Sequence, residues 1–257
     1  MSLPSIDPYP LPDQRCLEHN RLSWQLDPDR AVLLIHDMQN YFLRAYTHGA
    51  PARRAIGNIS SLIQTSRKAR VPVIYTRQPP NQSRSRRGLL AELWGPGLGA
   101  EADDAEITAR LRPAPEDTVL TKHRYSAFHG TGLAIRLREL GRDQLAVTGV
   151  YAHLGCLLTC ADAFMADIKP FLVADATADF DADHHTWALR YAATRCAVVT
   201  LTADMTRALG VAGRTTRSAG GDRPCSDAPE AGTGPARHVP GTVDTGSPGS
   251  VDRGGDL

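Results

Sequence analysis

Lysine is almost missing from this chain. It stands only at positions 68, 122 and 169, and arginine supplies the rest of the positive charge. Neither sign dominates: 29 basic residues against 28 acidic ones leave a formal net charge of +1 in 257 residues. That balance speaks against a nucleic-acid or membrane surface. No apolar run approaches the ~20 residues of a membrane span, and residues 1–14 lack both the basic start and the apolar core of a signal peptide. The five cysteines are odd in number and form no C-x-x-C, so a reduced, cytoplasmic setting is expected rather than a disulfide framework. Large apolar residues are nearly absent from 210 onward, where Gly, Pro, Ser, Thr and Asp prevail. Such a segment cannot offset the entropy of ordering, so 210–257 is expected to be a disordered tail without room for a helical carrier domain.

What remains is ample for one large α/β domain. Residues 144–179 are its centre. Residues 144–148 form a short apolar run ending at Gly149, the pattern of a buried parallel strand. From 154 to 168 apolar residues recur at helical spacing, with Leu157, Cys160, Ala161, Phe164 and Ile168 on one face. Pro170 is expected to end that helix, and residues 171–174 to form the next strand. Strand, turn, helix and strand make a right-handed βαβ unit, and ligands bind beyond the strand C-termini in such sheets. Here that crevice holds the turn 149–156.

In chain order, residues 1–30 are Pro-rich and read as an extended arm wrapping the domain or a partner subunit. Further strands are expected at 31–36, 71–76, 118–121 and 197–200, and helices at 54–70, 101–111, 131–140, 183–195 and 202–209. Residues 78–99 are a long Arg-rich loop, and loops of that length are often functional. Six strands alternating with helices give an α/β fold: a doubly wound, mostly parallel six-stranded sheet with helices on both faces, over 31–209.

Three positions bear on chemistry. Asp37 directly follows the first strand and reads either as a helix N-cap or as a functional carboxylate. Lys122 follows the third strand, and its rarity sets it apart from an ordinary solvated lysine. Cys156 begins the main helix, as an activated thiolate or as core.

The segments AVLLIHDMQNYF, WGPG (94–97), KHRYSAFHGT, QLAVTGVYAHLGC and DAFMADIKPFLVADATADF resemble signature segments of the isochorismatase-like hydrolases, and the similarity spans about 5–209. It is strongest to the isochorismatases and 2-amino-2-deoxyisochorismate hydrolases. One departure is His123, where such enzymes usually have Trp, so an altered pocket wall is expected. In the amidohydrolase branch a nucleophilic Cys lies six residues after the Gly of the turn. Counting from Gly149 reaches Gly155, and Cys156 lies about 100° further round a helix of ~3.6 residues per turn. It should therefore point away from Asp37, and Gly155 should leave space for a substrate ring.

The resemblance implies Asp37, Lys122 and Gly155 as the catalytic positions, and Phe42, Gln78, Arg87, Trp94, Tyr125 and Tyr151 as substrate-binding. Among these, Arg87 also reads as a solvated loop residue beside its Arg neighbours. No metal, no cofactor and a homodimer are implied. The chemistry implied is acid-catalysed hydrolysis of an enolpyruvyl ether, with Asp37 protonated at the start. Burial would raise its pKa for that purpose, while a charged Lys122 would oppose the rise. The expected substrate is 2-amino-2-deoxyisochorismate, isochorismate being the alternative. A Cys-dependent amidohydrolase and a non-catalytic scaffold are the more remote readings.

Overall fold

A computed structural model describes residues 3–47 and 51–215. The chain divides into two units, 1–220 and 221–257. The expected tail lies almost wholly outside the described residues.

Six strands form one sheet: β1 (Ala31–His36), β2 (Val73–Arg77), β3 (Thr118–Thr121), β4 (Gln144–Val150), β5 (Lys169–Ala178) and β6 (Val198–Thr200). The order is β3-β2-β1-β4-β5-β6, and every neighbouring pair is parallel. The sheet is thus wholly parallel. Its order reverses between β1 and β4, so that a crevice opens beyond their C-terminal ends. β1 and β4 are buried along their whole length, as continuous apolar runs in a sheet covered on both faces should be.

Alternate residues of β1 feed two cores. Leu33 and Ile35 face one layer, where Ile59 and Leu62 of helix α1 (Ala52–Lys68) and Met205 of α5 (Thr202–Thr215) pack. Val32 and Leu34 face the other, with α2 (Leu133–Glu139), α3 (Leu157–Met165) and α4 (Ala182–Arg195). The period of two in the strand and 3.6 in the helices produces both layers.

Several expected boundaries move. The main helix stops at Met165, and Asp167 turns the chain with φ +59°. Pro170 does not end the helix; it lies at the second position of β5, where a strand tolerates it. Phe164 is exposed and stacks on Trp24, while Thr159 and Ala163 complete the buried face with Leu157 and Cys160. Residues 152–156 form a π-helical turn. The loop after β2 carries two short helices, Arg84–Arg87 and Leu90–Trp94. The expected helix at 101–111 is two fragments, Ala102–Ala105 and Ala109–Leu111. α5 runs through Gly210 to Thr215 rather than stopping at 209.

The N-terminal segment packs on its own domain. Ile6 is fully buried and bridges to Tyr46. Asn20 exchanges two 2.8 Å hydrogen bonds with the backbone of Val199, covering part of the β6 edge.

Candidate active site

Asp37 leaves β1 with φ +49°, a left-handed backbone that turns its side chain under the crevice. Its carboxylate is buried and surrounded by donors. Thr76 Oγ1 donates to Oδ1 at 2.7 Å; Lys122 Nζ lies 2.7 Å from Oδ2, and Gln78 Nε2 donates to Oδ2 at 3.3 Å. Asp37 caps no helix: the next helical turn starts at Asn40 with Gln39 before it.

Burial pushes the Asp37 carboxyl up, but the Lys122 charge, His36 and the hydrogen bonds from Lys122 and Thr76 outweigh it, and its pKa lies below the ordinary carboxylate value. Of the two opposing effects expected from the sequence, Lys122 prevails over burial, because burial brings the ammonium group in together with the carboxylate. Lys122 is only 1% exposed, so it is no solvated lysine. Nζ also donates to the Arg124 carbonyl at 2.8 Å. An ammonium group has three donors, so one is left for a ligand.

A cavity opens above this pair. Asp37, Phe42, Gln78, Arg87, Trp94, Lys122, Tyr125, Tyr151 and Gly155 all line it. They come from four separate stretches of sequence, brought to one edge by the sheet order. Sequence reasoning missed Tyr41, Leu90, Leu154, Leu3 and His36, which also line it. An apolar residue in a loop carries no functional signal, and Leu3 belongs to an arm with no periodicity.

Arg87 is buried by the WGPG segment. Its Nε donates to the Gly95 carbonyl at 2.6 Å, and a Cβ on Gly97 would lie 2.5 Å from the guanidinium carbon. Nη1 reaches Gln78 Oε1 at 3.4 Å. Among the described residues no carboxylate pairs with Arg87, and burial lowers its pKa. A buried guanidinium with donors to spare can accommodate an anion.

Aromatic rings supply the walls. Phe42 and Phe180 meet Tyr151 edge-on, and Trp94 Nε1 donates to the Tyr125 hydroxyl. The Tyr151 hydroxyl donates to the Phe42 carbonyl at 2.9 Å, so toward a ligand it can only accept. His123 does not line the cavity; its ring is 2.8 Å from Gln82 Oε1.

The turn after β4 corrects the reading of Gly155. A Cβ there would lie 2.0 Å from Cε1 of His36, so the space is filled by an imidazole and not left for a substrate ring. Cys156 is fully buried, with its sulfur 3.9 Å from the Thr148 carbonyl, on the core side of the turn. Burial pushes its thiol pKa well above the ordinary value, as it does that of Cys160. Neither is an activated thiolate.

A buried acid and cation at the switch point of a doubly wound sheet, below an aromatic cavity, define a small-molecule enzyme. Residues 31–204 match the isochorismatase domain, and the chain belongs to the isochorismatase family. It is 49% identical to the isochorismatase of Bacillus subtilis over 79% of its own length and 65% of that protein's. It is 50% identical to phenazine biosynthesis protein PhzD of Pseudomonas fluorescens, over 78% of this chain and 96% of that one. Enterobactin synthase component B of Escherichia coli is 46% identical over 80% of this chain and 72% of that protein. Among solved structures, a cysteine hydrolase from Pseudomonas syringae superposes with a TM-score of 0.67 at 27% identity, covering 74% of this chain and 97% of that one. The family resemblance and the sheet architecture expected from the sequence are both found.

Proposed function

We propose that this chain hydrolyses the enolpyruvyl ether of 2-amino-2-deoxyisochorismate to trans-2,3-dihydro-3-hydroxyanthranilate and pyruvate. The observation carrying the reading is the pairing of Asp37 with Lys122 on the floor of a cavity whose described lining includes no Cys, Ser or Thr. Proton transfer by Asp37 is then the chemistry at hand, and attack by a cysteine, serine or threonine is not.

Asp37 protonates the methylene carbon of CH2=C(COO−)–O–ring. The resulting oxocarbenium ion takes up water at the former vinyl carbon, and the proton released by that water returns to Asp37. The hemiketal collapses with transfer of its hydroxyl proton to the ring oxygen, giving pyruvate and the ring alcohol. The Asp37 pKa lies below the ordinary carboxylate value beside Lys122, so the two substrate carboxylates have a second role. Placed beside Lys122 and Arg87, they offset the cations that hold Asp37 ionised, and the acid takes up its proton as substrate binds.

The 50% identity to phenazine biosynthesis protein PhzD of Pseudomonas fluorescens supports the amino compound, with isochorismate as the second reading. The same reading places the enzyme in the cytoplasm as a homodimer. Four free cysteines among the described residues and the exposed Trp187 and Tyr191 support it.

Pyruvate release measured side by side tests the substrate. Both compounds should react, with the higher kcat/KM for the amino compound. A tenfold preference for isochorismate would reverse that choice, and no pyruvate from either would end the reading.

A further inference from the structure

His36 occupies a volume that two glycines keep open. In the sheet it pairs with Gly149 across β1 and β4. A Cβ on Gly149 would lie 2.1 Å from the His36 carbonyl oxygen. A Cβ on Gly155 would lie 2.0, 2.7 and 2.9 Å from Cε1, Nε2 and Nδ1 of its ring. Backbone and side chain of one residue are thus clamped by two glycines, one in β4 and one in the turn after it. Real Cβ contacts are not that short, so neither position accepts even alanine while His36 stays in place.

The ring joins the parts that build the cavity. Nδ1 is 2.9 Å from the carbonyl of Val150, the residue before Tyr151. Nε2 is 3.1 Å from the carbonyl of Tyr125, in the loop that follows Lys122. The next residue in the chain is Asp37, whose Oδ2 is 3.8 Å from Nδ1. Both carbonyls only accept, so a neutral imidazole donates to one at a time and a protonated ring to both. The ring is shut off from solvent, where an unpaired polar atom is costly.

We propose that His36 is the positioning residue of this site: seated over Gly155, its imidazole lies between the Val150 and Tyr125 carbonyls, donates to one of them and packs against the other, and so fixes Asp37, Tyr151 and Tyr125 against the cavity. A second consequence follows from the same contact. Position 155, at the entrance of the helix and on the cavity wall, is closed to any side chain, so His36 restricts the site to proton transfer by Asp37. The proposal rests on the hydrolysis reading for its kinetic half and on packing alone for the other.

Two experiments test it in the full-length protein. His36→Leu fills similar space without a donor; its kcat for pyruvate release should fall at least tenfold while KM stays within threefold. His36→Asn keeps an amide donor and should recover kcat to within threefold of wild type. A lost framework would instead lower both variants alike, and wild-type kcat in His36→Leu would overturn the positioning role. The packing half is read by melting temperature in a double-mutant cycle. Gly155→Ala should lower Tm by several degrees with His36 present and by less than a third as much beside His36→Ala. Equal losses in both backgrounds would overturn the clamp. The cycle needs no substrate, so it still decides the His36–Gly155 relation if wild type releases no pyruvate.

Discussion

Nζ of Lys122 and Oδ2 of Asp37 stand 2.7 Å apart with both side chains shut off from solvent. Removing one partner from such a pair leaves the other charge buried and uncompensated, at a cost of about 3–5 kcal/mol. Asp37→Ala should therefore lose at least ~100-fold in turnover, the usual scale of general acid catalysis, and also lose stability. Asp37→Ala combined with Lys122→Met should regain most of that stability and none of the activity. Urea unfolding and pyruvate release separate the two effects. A single variant that keeps wild-type turnover would remove Asp37 as the acid.

The pH dependence follows from the direction of the Asp37 shift. The proposed reaction needs the protonated carboxyl, but beside Lys122 its pKa is below the ordinary value. Above that pKa the protonated fraction falls tenfold per pH unit. kcat/KM reports the free enzyme, so its logarithm should decline with a slope near −1 from about pH 5 to pH 8. kcat reports the complex, where bound carboxylates offset Lys122, and should hold level to a higher pH before declining. Parallel profiles for the two constants would show that substrate does not raise the pKa of Asp37.

Arg87 is buried with no carboxylate partner among the described residues. The hydrogen bonds to Gly95 and Gln78 offset part of the cost of burying its charge, and a bound anion would offset more. Arg87→Met should raise KM at least tenfold for a dicarboxylate, change kcat less, and leave Tm equal to or above that of wild type. A large drop in Tm would mean that the guanidinium holds the WGPG turn together rather than waiting for substrate.

Much of the scaffold could be read directly from the residues, because a parallel sheet covered on both faces needs uninterrupted apolar strands. All six expected strands are found, with β1 and β4 the plainest. Asp37 and Lys122 were visible as polar residues at strand ends. Other features depend on tertiary contact. His36 looks like the polar end of a strand until Gly155 is folded over it. Gly95 and Gly97 look like turn residues until Arg87 lies against them. The sign of the Asp37 shift depends on competition between burial and a 2.7 Å ion pair, and residue spacing does not specify that distance. Gly210 resembles a helix stop, yet α5 continues through it to Thr215.

The strand order also sets the sequence of events in folding. β1 lies between β2 and β4, and Leu33 and His36 pair with Ala146 and Gly149, on a strand that follows only after β2, β3 and α2. Contacts so distant along the chain form late, after the entropy of closing a long loop has been overcome. The crevice between β1 and β4 therefore does not exist in any partly folded species that contains only the first half of the chain. A nascent chain emerging from the ribosome has Asp37, Gln78 and Lys122 in hand long before it has a site. The charged pair thus meets its low-dielectric surroundings only when the sheet closes around it.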